Sequence, residues 1–205
     1  MDAVAEDVLE FWFGDGRRDL DAAGDRGKLW WGGGEALDRE IADRFGETHL
    51  AACAGDLPWR ETANERLALI IVLDQFSRNL GRGTPGAFAN DALTQDLVLE
   101  GRGLGFDRQL TDFERPFFYM PLCHAEDLAM QELAVQVFDG MHERTSDPRL
   151  QYEGFAKAAR EHRDIVARFG RFPHRNEILE REPTAEEVAF LADGAASFGQ
   201  KRSEK

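Results

Sequence analysis

The 205-residue sequence has only two cysteines and no long hydrophobic run. Cys53 and Cys123 lie far apart and do not have the spacing of a metal site, so we expect reduced thiols. The longest apolar run covers residues 67–73 and is far too short to span a bilayer. The N-terminus is acidic and lacks the basic segment of a signal peptide. These features predict a soluble, cytoplasmic protein with no membrane partner.

Basic residues are also scarce relative to acidic ones. The chain has 25 lysines and arginines against 39 aspartates and glutamates, which gives a formal net charge of −14. Nucleic acids and acidic membranes are polyanions, so we do not expect a protein of this charge to bind either of them over a broad surface. A small basic pocket is still compatible with an acidic surface. Small molecules and peptides are therefore the partners to consider, and nucleic acids are not.

The third missing feature is β-strand alternation, since no stretch alternates apolar and polar residues as a half-buried strand does. Apolar residues instead recur at helical spacing. The sequence predicts an all-α fold of eight or nine helices in antiparallel hairpins, with one domain over residues 1–196 and a disordered tail over residues 197–205. The predicted helices cover about residues 4–13, 35–54, 62–79, 87–100, 111–121, 122–143, 148–169, 173–181 and 185–192.

The segment from Gly81 to Gly86, GRGTPG, fits the G-x-G-x-x-G pattern of dinucleotide-binding loops. That pattern binds a pyrophosphate only when it follows a strand, where bare glycines let backbone amides approach the ligand. Here a predicted helix precedes it, and Pro85 removes one amide. We interpret the segment as a helix–helix loop and predict no cofactor.

Four polar residues follow the apolar part of the third predicted helix. Asp74 and Arg78 stand four positions apart, the spacing of a helical ion pair, and Gln75 and Asn79 form the neighbouring row. Polar groups beside an apolar stretch need partners. The set is either a binding site or a structural hydrogen-bond network, and the sequence favours neither.

Three histidines are candidates for proton transfer, because imidazole titrates near neutral pH. His124 lies with Glu126 in the predicted first turns of one helix, and His162 lies on the inward stripe of another. His174 follows directly after Pro173. A metal site built from these side chains is the weakest alternative, because no two of them have the i, i+4 spacing of ligands on a helix. We therefore predict no metal.

The stretch RFGRFPHRN, residues 168–176, concentrates positive charge in an acidic protein. Gly170 ends one predicted helix and Pro173 begins the next. Guanidinium groups and free helix-terminal amides at such a junction are expected to bind a carboxylate or phosphate. The alternative is an internal ion-pair hub, in which acids of the chain supply the negative charge. The basic-corner residues are Arg171, His174, Arg175 and Asn176, and the candidate internal acids are Asp74, Glu126 and Asp127.

Three motifs resemble one known family. The segments LDQFSRNLGRGTPGAFANDA, FFYMPLCHAEDLAMQ and HRDIVARFGRFPHRNEIL are similar to the bacterial and fungal proteins grouped as domain of unknown function 924. The resemblance spans most of the chain. It implies an all-α fold of the tetratricopeptide-like class, and it brings no activity, ligand or catalytic residue. The family-motif positions that it implies are Asp74, Gln75, Arg78, Asn79, His124, Glu126, His162, Arg171, His174, Arg175 and Asn176.

Two functions of different kinds fit these patterns. The first is a pocket for a small anionic molecule, a carboxylate or a phosphate, whose histidines could also transfer protons; no motif indicates a reaction class. The second is a helical-hairpin scaffold that presents a groove to a peptide or protein partner. For the pocket, the candidate catalytic residues are His124, His174, His162, Asp74 and Glu126, and the candidate ligand-binding residues are Arg78, Asn79, Gln75, Arg171, Arg175 and Asn176.

Overall fold

The computed structural model describes residues 1–23, 26–145 and 147–193. Within these ranges the chain forms nine α-helices and no β-strand, which confirms the all-α prediction. The predicted disordered tail, and the predicted domain end at residue 196, lie outside the described residues. None of the described helices is both long and apolar enough to cross a membrane.

Short turns connect the helices, and two segments have π-helical geometry. The first, Lys28–Gly32, carries two tryptophans; the second, Ile71–Phe76, joins α3 and α4 into one continuous helix. The α-helices are α1 (Ala3–Phe13), α2 (Glu35–Ala54), α3 (Ala63–Ile70), α4 (Ser77–Leu80), α5 (Asp91–Gly103), α6 (Arg115–Cys123), α7 (Leu128–Arg144), α8 (Tyr152–Phe169) and α9 (Ala185–Ala192). The 3₁₀ turns are Gly14–Arg17, Leu20–Ala22, Pro85–Phe88, Phe106–Arg108, Pro148–Leu150 and Pro173–Arg175.

Helix ends follow the capping residues that the sequence predicts. Asp2 accepts hydrogen bonds from two amides in the first turn of α1, Thr62 caps α3, and Thr184 forms a full capping box at α9. Gly55 and Gly170 end α2 and α8 with φ angles of 79° and 70°. Glycine adopts this left-handed conformation without steric cost, which explains where both helices stop.

The boundary between α6 and α7 differs from the prediction. α6 continues two residues past Pro121. The proline removes one backbone hydrogen bond and crowds the carbonyl of the preceding turn, but packing of α6 among buried apolar side chains opposes this effect. α7 starts only at Leu128, where the side chain of Asp127 caps the new helix. His124 and Glu126 therefore lie in the connection between two helices, and their predicted place in the first turns of a helix is wrong.

α6 starts at Arg115 and not at the predicted Thr111. Three other predicted helices also start later or do not form. α5 starts at Asp91 and α8 at Tyr152, each after a 3₁₀ turn that begins with proline. Pro173 opens only a 3₁₀ turn, so the predicted helix over residues 173–181 is wrong. Proline at the first position presets the backbone for one turn, but the residues that follow decide whether the turn continues as a helix. Before α8, the left-handed Gln151, with φ 55°, also interrupts the helix.

Aromatic side chains on α1, α6 and the π-helical segment Ile71–Phe76 form the centre of the core. The Trp12 ring contacts those of Phe76 and Phe117 at centroid distances of 5.8 Å in both pairs. Phe13 contacts Phe117 at 5.3 Å. These side chains are fully buried, and each contributes roughly 1.5 to 3 kcal/mol. α7 and α8 pack on each other and against α6, beside this cluster.

The π-helical segment Ile71–Phe76 introduces polar side chains into the apolar core. Its backbone hydrogen bonds reach five residues along the chain, so the turn is wider than an α-helical one. Asp74 is fully buried in this segment and Gln75 is 9% exposed, while Arg78 follows in α4. A buried carboxylate requires charged or hydrogen-bonding partners. The segment therefore determines where such partners gather.

A buried glutamine holds the connection between α6 and α7. The Gln131 side chain on α7 has no solvent exposure, and its Nε2 donates to the carbonyl oxygens of Cys123 at 2.8 Å and Ala125 at 2.7 Å. His124 lies between these two residues in sequence. The glutamine therefore fixes the backbone on both sides of His124.

We expect Gln131→Met to destabilise the protein by about 1 to 3 kcal/mol, because two carbonyl groups lose a buried donor. Urea denaturation followed by circular dichroism gives the free energy of unfolding. Gln136→Met makes the same change at an exposed position of α7 and is expected to cost less than about 0.5 kcal/mol. Equal losses in the two variants would show that the Gln131 hydrogen bonds do not hold the connection.

Candidate functional site

A cavity of about 450 Å³ lies where α4, the connection between α6 and α7, α8 and the Pro173–Arg175 turn meet. Seven of the eleven site residues predicted from the sequence line it. Segments that are distant in the chain thus bring their polar side chains to one place. The seven are Gln75, Arg78, Asn79, His124, His162, His174 and Arg175.

Asp74 and His124 form the polar centre of the site. Nδ1 of His124 lies 2.7 Å from Oδ1 of Asp74, and Nη1 of Arg78 lies 3.0 Å from the same oxygen. Gln75 also donates to this carboxylate. The Asp74 side chain has no solvent exposure, whereas that of His124 is 16% exposed. The imidazole is therefore the part of this pair that the cavity reaches.

The protonation state of the pair follows from its surroundings. Burial alone would raise the pKa of Asp74, but the charge of Arg78 and the hydrogen bond with His124 lower that pKa to about 2. Burial and Arg78 lower the pKa of His124, although Asp74 opposes them. At neutral pH the ionised carboxylate can only accept, so the neutral imidazole carries its proton on Nδ1. Nε2 is then a hydrogen-bond acceptor or a base.

Two further histidines line the cavity. Nδ1 of His162 donates to the carbonyl of Ala158 at 2.7 Å, and the His124 and His162 rings are 6.5 Å apart. Burial lowers the pKa of His162 to about 4 despite this hydrogen bond, and burial together with Arg175 lowers the pKa of His174 to about 3. At neutral pH the cavity therefore has three uncharged imidazoles.

Two arginines share one carboxylate beside these histidines. Asp91, at the start of α5, accepts from Nη2 of Arg78 at 2.9 Å and from Nη1 of Arg175 at 3.0 Å. The guanidinium carbon of Arg175 lies 4.4 Å from the ring centre of Phe88 and 4.6 Å from that of Phe172. Asp91 and the two rings thus hold the guanidinium plane in one orientation.

The structure adds residues that the sequence did not single out. Arg82 also lines the cavity, and its Nε donates to Oδ2 of Asp38 at 2.7 Å. Asn79 donates to the other oxygen of Asp38 at 2.8 Å. Asp38 is on α2 and Asp91 is on α5, so no local pattern connects them with the arginines. The spacing of Arg78 and Arg82 does not identify these acids, because Arg82 lies beyond the end of α4 and its partner comes from another helix.

Arg171 does not line the cavity, although it belongs to the same basic stretch as Arg175. Its Nε and Nη2 donate to the two carboxylate oxygens of Glu187 at 2.6 and 2.8 Å. Glu187 also closes the capping box of α9. The expected helix N-terminus at Pro173 is a 3₁₀ turn and offers no helix dipole. The internal ion-pair alternative describes Arg171, and Arg175 is likewise paired within the chain, with Asp91, although its guanidinium also lines the cavity. Neither Glu187 nor Asp91 is among the acids that the sequence suggested.

Glu126 and Asn176 also lie outside the cavity wall, and both contact Arg181. Glu126 accepts from the amide of Phe172 at 2.7 Å and pairs with Nη1 of Arg181 at 2.6 Å. Oδ1 of Asn176 accepts from Nε of Arg181 at 3.0 Å. Arg181 in turn donates to the Phe172 carbonyl at 3.1 Å. These contacts hold the chain around Phe172 and so position Arg175.

The charge of the cavity wall is one-sided. Three guanidinium groups line it, on Arg78, Arg82 and Arg175, and no acidic residue does within the part of the chain that the structure describes. The aspartates that pair with these arginines do not line the cavity. A negatively charged group in the cavity would therefore meet cationic donors and neutral imidazoles.

The described residues include no group of three or more histidine, cysteine or acidic side chains placed to hold a metal ion. Cys123 lines the cavity, but burial raises the pKa of its thiol and the Asp74 charge adds to this effect. The thiolate is therefore disfavoured at neutral pH. The imidazole and guanidinium groups are the other ionisable groups that line the cavity.

Two comparisons with known proteins found a match. The model of the family described as "Bacterial protein of unknown function (DUF924)" matches residues 8–195. The chain is similar to a solved structure, that of the protein of unknown function ATU0120 from Agrobacterium tumefaciens, with 39% sequence identity and a TM-score of 0.78. That match covers 94% of this chain and 98% of the other. No curated protein matches the chain. The protein belongs to the DUF924 family, whose function is unknown.

Proposed function

We propose that the cavity binds a small molecule that carries a carboxylate or phosphate group. The observation that carries the proposal is the cavity wall, which has three guanidinium groups and, among the described residues, no acid. A guanidinium can donate two parallel hydrogen bonds to such a group. Asp91 holds Arg78 and Arg175 in place before a ligand arrives, so little side-chain entropy is lost on binding.

The proposal includes a role for His124 as a general base. Asp74 holds the tautomer with the proton on Nδ1, as the carboxylate does in the Ser-His-Asp triads of hydrolases. Nε2 is then the nitrogen that takes a proton from an O–H or N–H group of the bound molecule. The lowered pKa of His124, which burial and Arg78 cause, keeps Nε2 unprotonated at neutral pH.

A helical-hairpin scaffold of the tetratricopeptide-like class that binds a peptide is the second candidate. Such scaffolds offer an exposed concave groove. The motif residues are instead buried: Asp74 is 0%, Arg175 6% and Gln75 9% exposed. A cavity with buried polar groups suits a small molecule better than a peptide.

The proposal also places the protein in the cytoplasm. Its two cysteines, Cys53 and Cys123, are both free thiols. Cysteines remain reduced in that compartment, whereas secreted proteins usually pair them. A small anionic metabolite of the cytoplasm is the corresponding ligand.

We expect Arg175→Gln to weaken the binding of inorganic phosphate and of small carboxylates by about tenfold or more, because a hydrogen bond to a charged group contributes about 1.5 to 3 kcal/mol. Asp91 keeps Arg78 as its partner in this variant. Isothermal titration calorimetry at low ionic strength measures the affinities, and thermal melting verifies that the variant is folded.

Arg171→Gln is the matched control for this experiment. It removes an arginine from the same stretch, but one whose guanidinium contacts Glu187 and not the cavity. Its affinity for the anions is expected to equal that of the wild type. If Arg171→Gln loses as much anion affinity as Arg175→Gln does, the assignment of the anion to the cavity is wrong.

His124 should be neutral with its proton on Nδ1 at pH 7, and should gain its second proton only below the ordinary histidine pKa of about 6.5. Nitrogen-15 NMR spectra report both the tautomer and the protonation, and His124→Gln identifies the resonances. Asp74→Asn is expected to weaken the tautomer preference, because an amide can donate to Nδ1 as well as accept from it. If the wild-type His124 imidazole carries its proton on Nε2 at pH 7, the proposed role of His124 as a general base is wrong.

A further inference from the structure

We infer that the ligand of this cavity is an elongated acid with an apolar body about the size of an aromatic ring. Its acidic group lies at the arginines, and its body lies against tryptophan and phenylalanine side chains. This inference rests on the proposed function, from which it takes the anion site, and it specifies the rest of the molecule. Its evidence is the distribution of aromatic residues around the cavity.

One part of the cavity wall is aromatic. Trp31 contacts Phe155 with ring centroids 5.6 Å apart, Phe155 contacts Phe138 at 5.8 Å, and Trp30 lies 6.3 Å from Trp31. All four side chains line the cavity. Trp31 is 55% exposed, whereas Phe155 is 8% and Phe138 is 1% exposed. The aromatic surface thus starts at the solvent-facing Trp31 and continues into the protein.

Most of the polar groups form a separate cluster; Arg82, which lies beside Gly33 just after the tryptophan segment, is not part of it. His162 and His174 each lie 5.5 Å from Phe172 between ring centroids, and Arg175 packs against the same phenylalanine. Phe88 joins Arg175 and Arg78. The cation–π contacts of these two arginines are with Phe88 and Phe172, which are not among the four rings of the aromatic part. The wall is therefore divided into an apolar and a polar part.

α8 shows the distance between the two parts. Phe155, Ala158 and His162 stand at positions i, i+3 and i+7, so they lie on one face of the helix and all line the cavity. A rise of about 1.5 Å per residue separates the first from the last by roughly 10 Å. That length fits an aromatic ring joined to an acid by a short linker.

Ala158 lies between the aromatic and the polar part of this face. Its single methyl group leaves the middle of the cavity open. An inorganic anion at the arginines would leave the aromatic part in contact with water, whereas binding sites for small molecules usually cover most of the ligand with apolar wall and orient it with a few polar groups. The division of the wall therefore favours a ligand that has both an acidic group and an apolar body.

The first experiment compares propionate, 3-phenylpropionate and 3-phenylpropanol on the wild-type protein. We expect 3-phenylpropionate to bind about tenfold or more tightly than propionate, because the ring is removed from water. We also expect it to bind more tightly than the alcohol, which lacks the charge that the guanidiniums bind. Calorimetry gives the affinities.

The second experiment closes the middle of the cavity. Ala158→Leu is expected to weaken 3-phenylpropionate binding about tenfold and to leave phosphate binding unchanged. Lys157→Leu adds the same side chain at the neighbouring exposed position of α8 and should affect neither ligand. Both variants place a good helix former in the helix. If thermal melting shows that Ala158→Leu is unfolded, Phe155→Leu removes an aromatic wall residue and carries the same expectation.

The outcomes separate this inference from the proposed function. Equal affinities for propionate and 3-phenylpropionate would contradict the inference that the ligand has an aromatic body. An Ala158→Leu variant that binds 3-phenylpropionate as the wild type does would contradict it too. Neither result would contradict the proposed anion site. No binding of any acid, phosphate included, would overturn the proposed function. Equal affinity of the alcohol and the acid would show that the guanidiniums contribute nothing and would overturn both.

Discussion

A carboxylate without solvent exposure, that of Asp74, is the charge around which the site is organised. Burial of an unpaired carboxylate would cost several kcal/mol, so its ionised form requires cationic and hydrogen-bonding partners. Arg78 comes from α4 and His124 from the connection between α6 and α7. The attraction of both to Asp74 joins two parts of the chain that are far apart in sequence.

The charge is arranged in two layers. Asp91 and Asp38, like Asp74, contact arginines but do not line the cavity, and the guanidinium groups do line it. The negative layer holds the arginines against the protein, and the positive layer faces the cavity, where we propose that a ligand binds. A protein with a formal net charge of −14 can therefore contain a cavity whose wall carries guanidinium groups.

The basic stretch over residues 168–176 separates into two roles. Arg171 pairs with Glu187 and joins the chain to α9, whereas Arg175 pairs with Asp91 at the cavity. On a regular helix these two arginines would share a face, but the turn between them is not α-helical. Their guanidinium groups therefore reach different partners. Glu126 holds the intervening backbone through the Phe172 amide.

Much of the fold can be predicted from the sequence, because helix signals are local. Asp2, Thr62 and Thr184 cap helices through hydrogen bonds to amides two or three residues away, and Gly55 and Gly170 end helices through their own backbone conformation. The errors fall at prolines. Pro121 does not end α6 and Pro173 does not start an α-helix, since packing and the later residues decide whether a proline turn continues.

Sequence by itself determined the all-α class, most helix ends and the residue types of the site, including the Asp74–Arg78 pair. Tertiary structure decided which of those residues share a cavity: it brought His124, His162, His174 and Arg175 to Gln75 and Arg78, and left Arg171, Glu126 and Asn176 outside. It also supplied Asp38, Asp91 and the aromatic wall. The physical reason is range, because capping and helical spacing act over a few residues, whereas the partners of a buried charge are chosen by packing between distant segments.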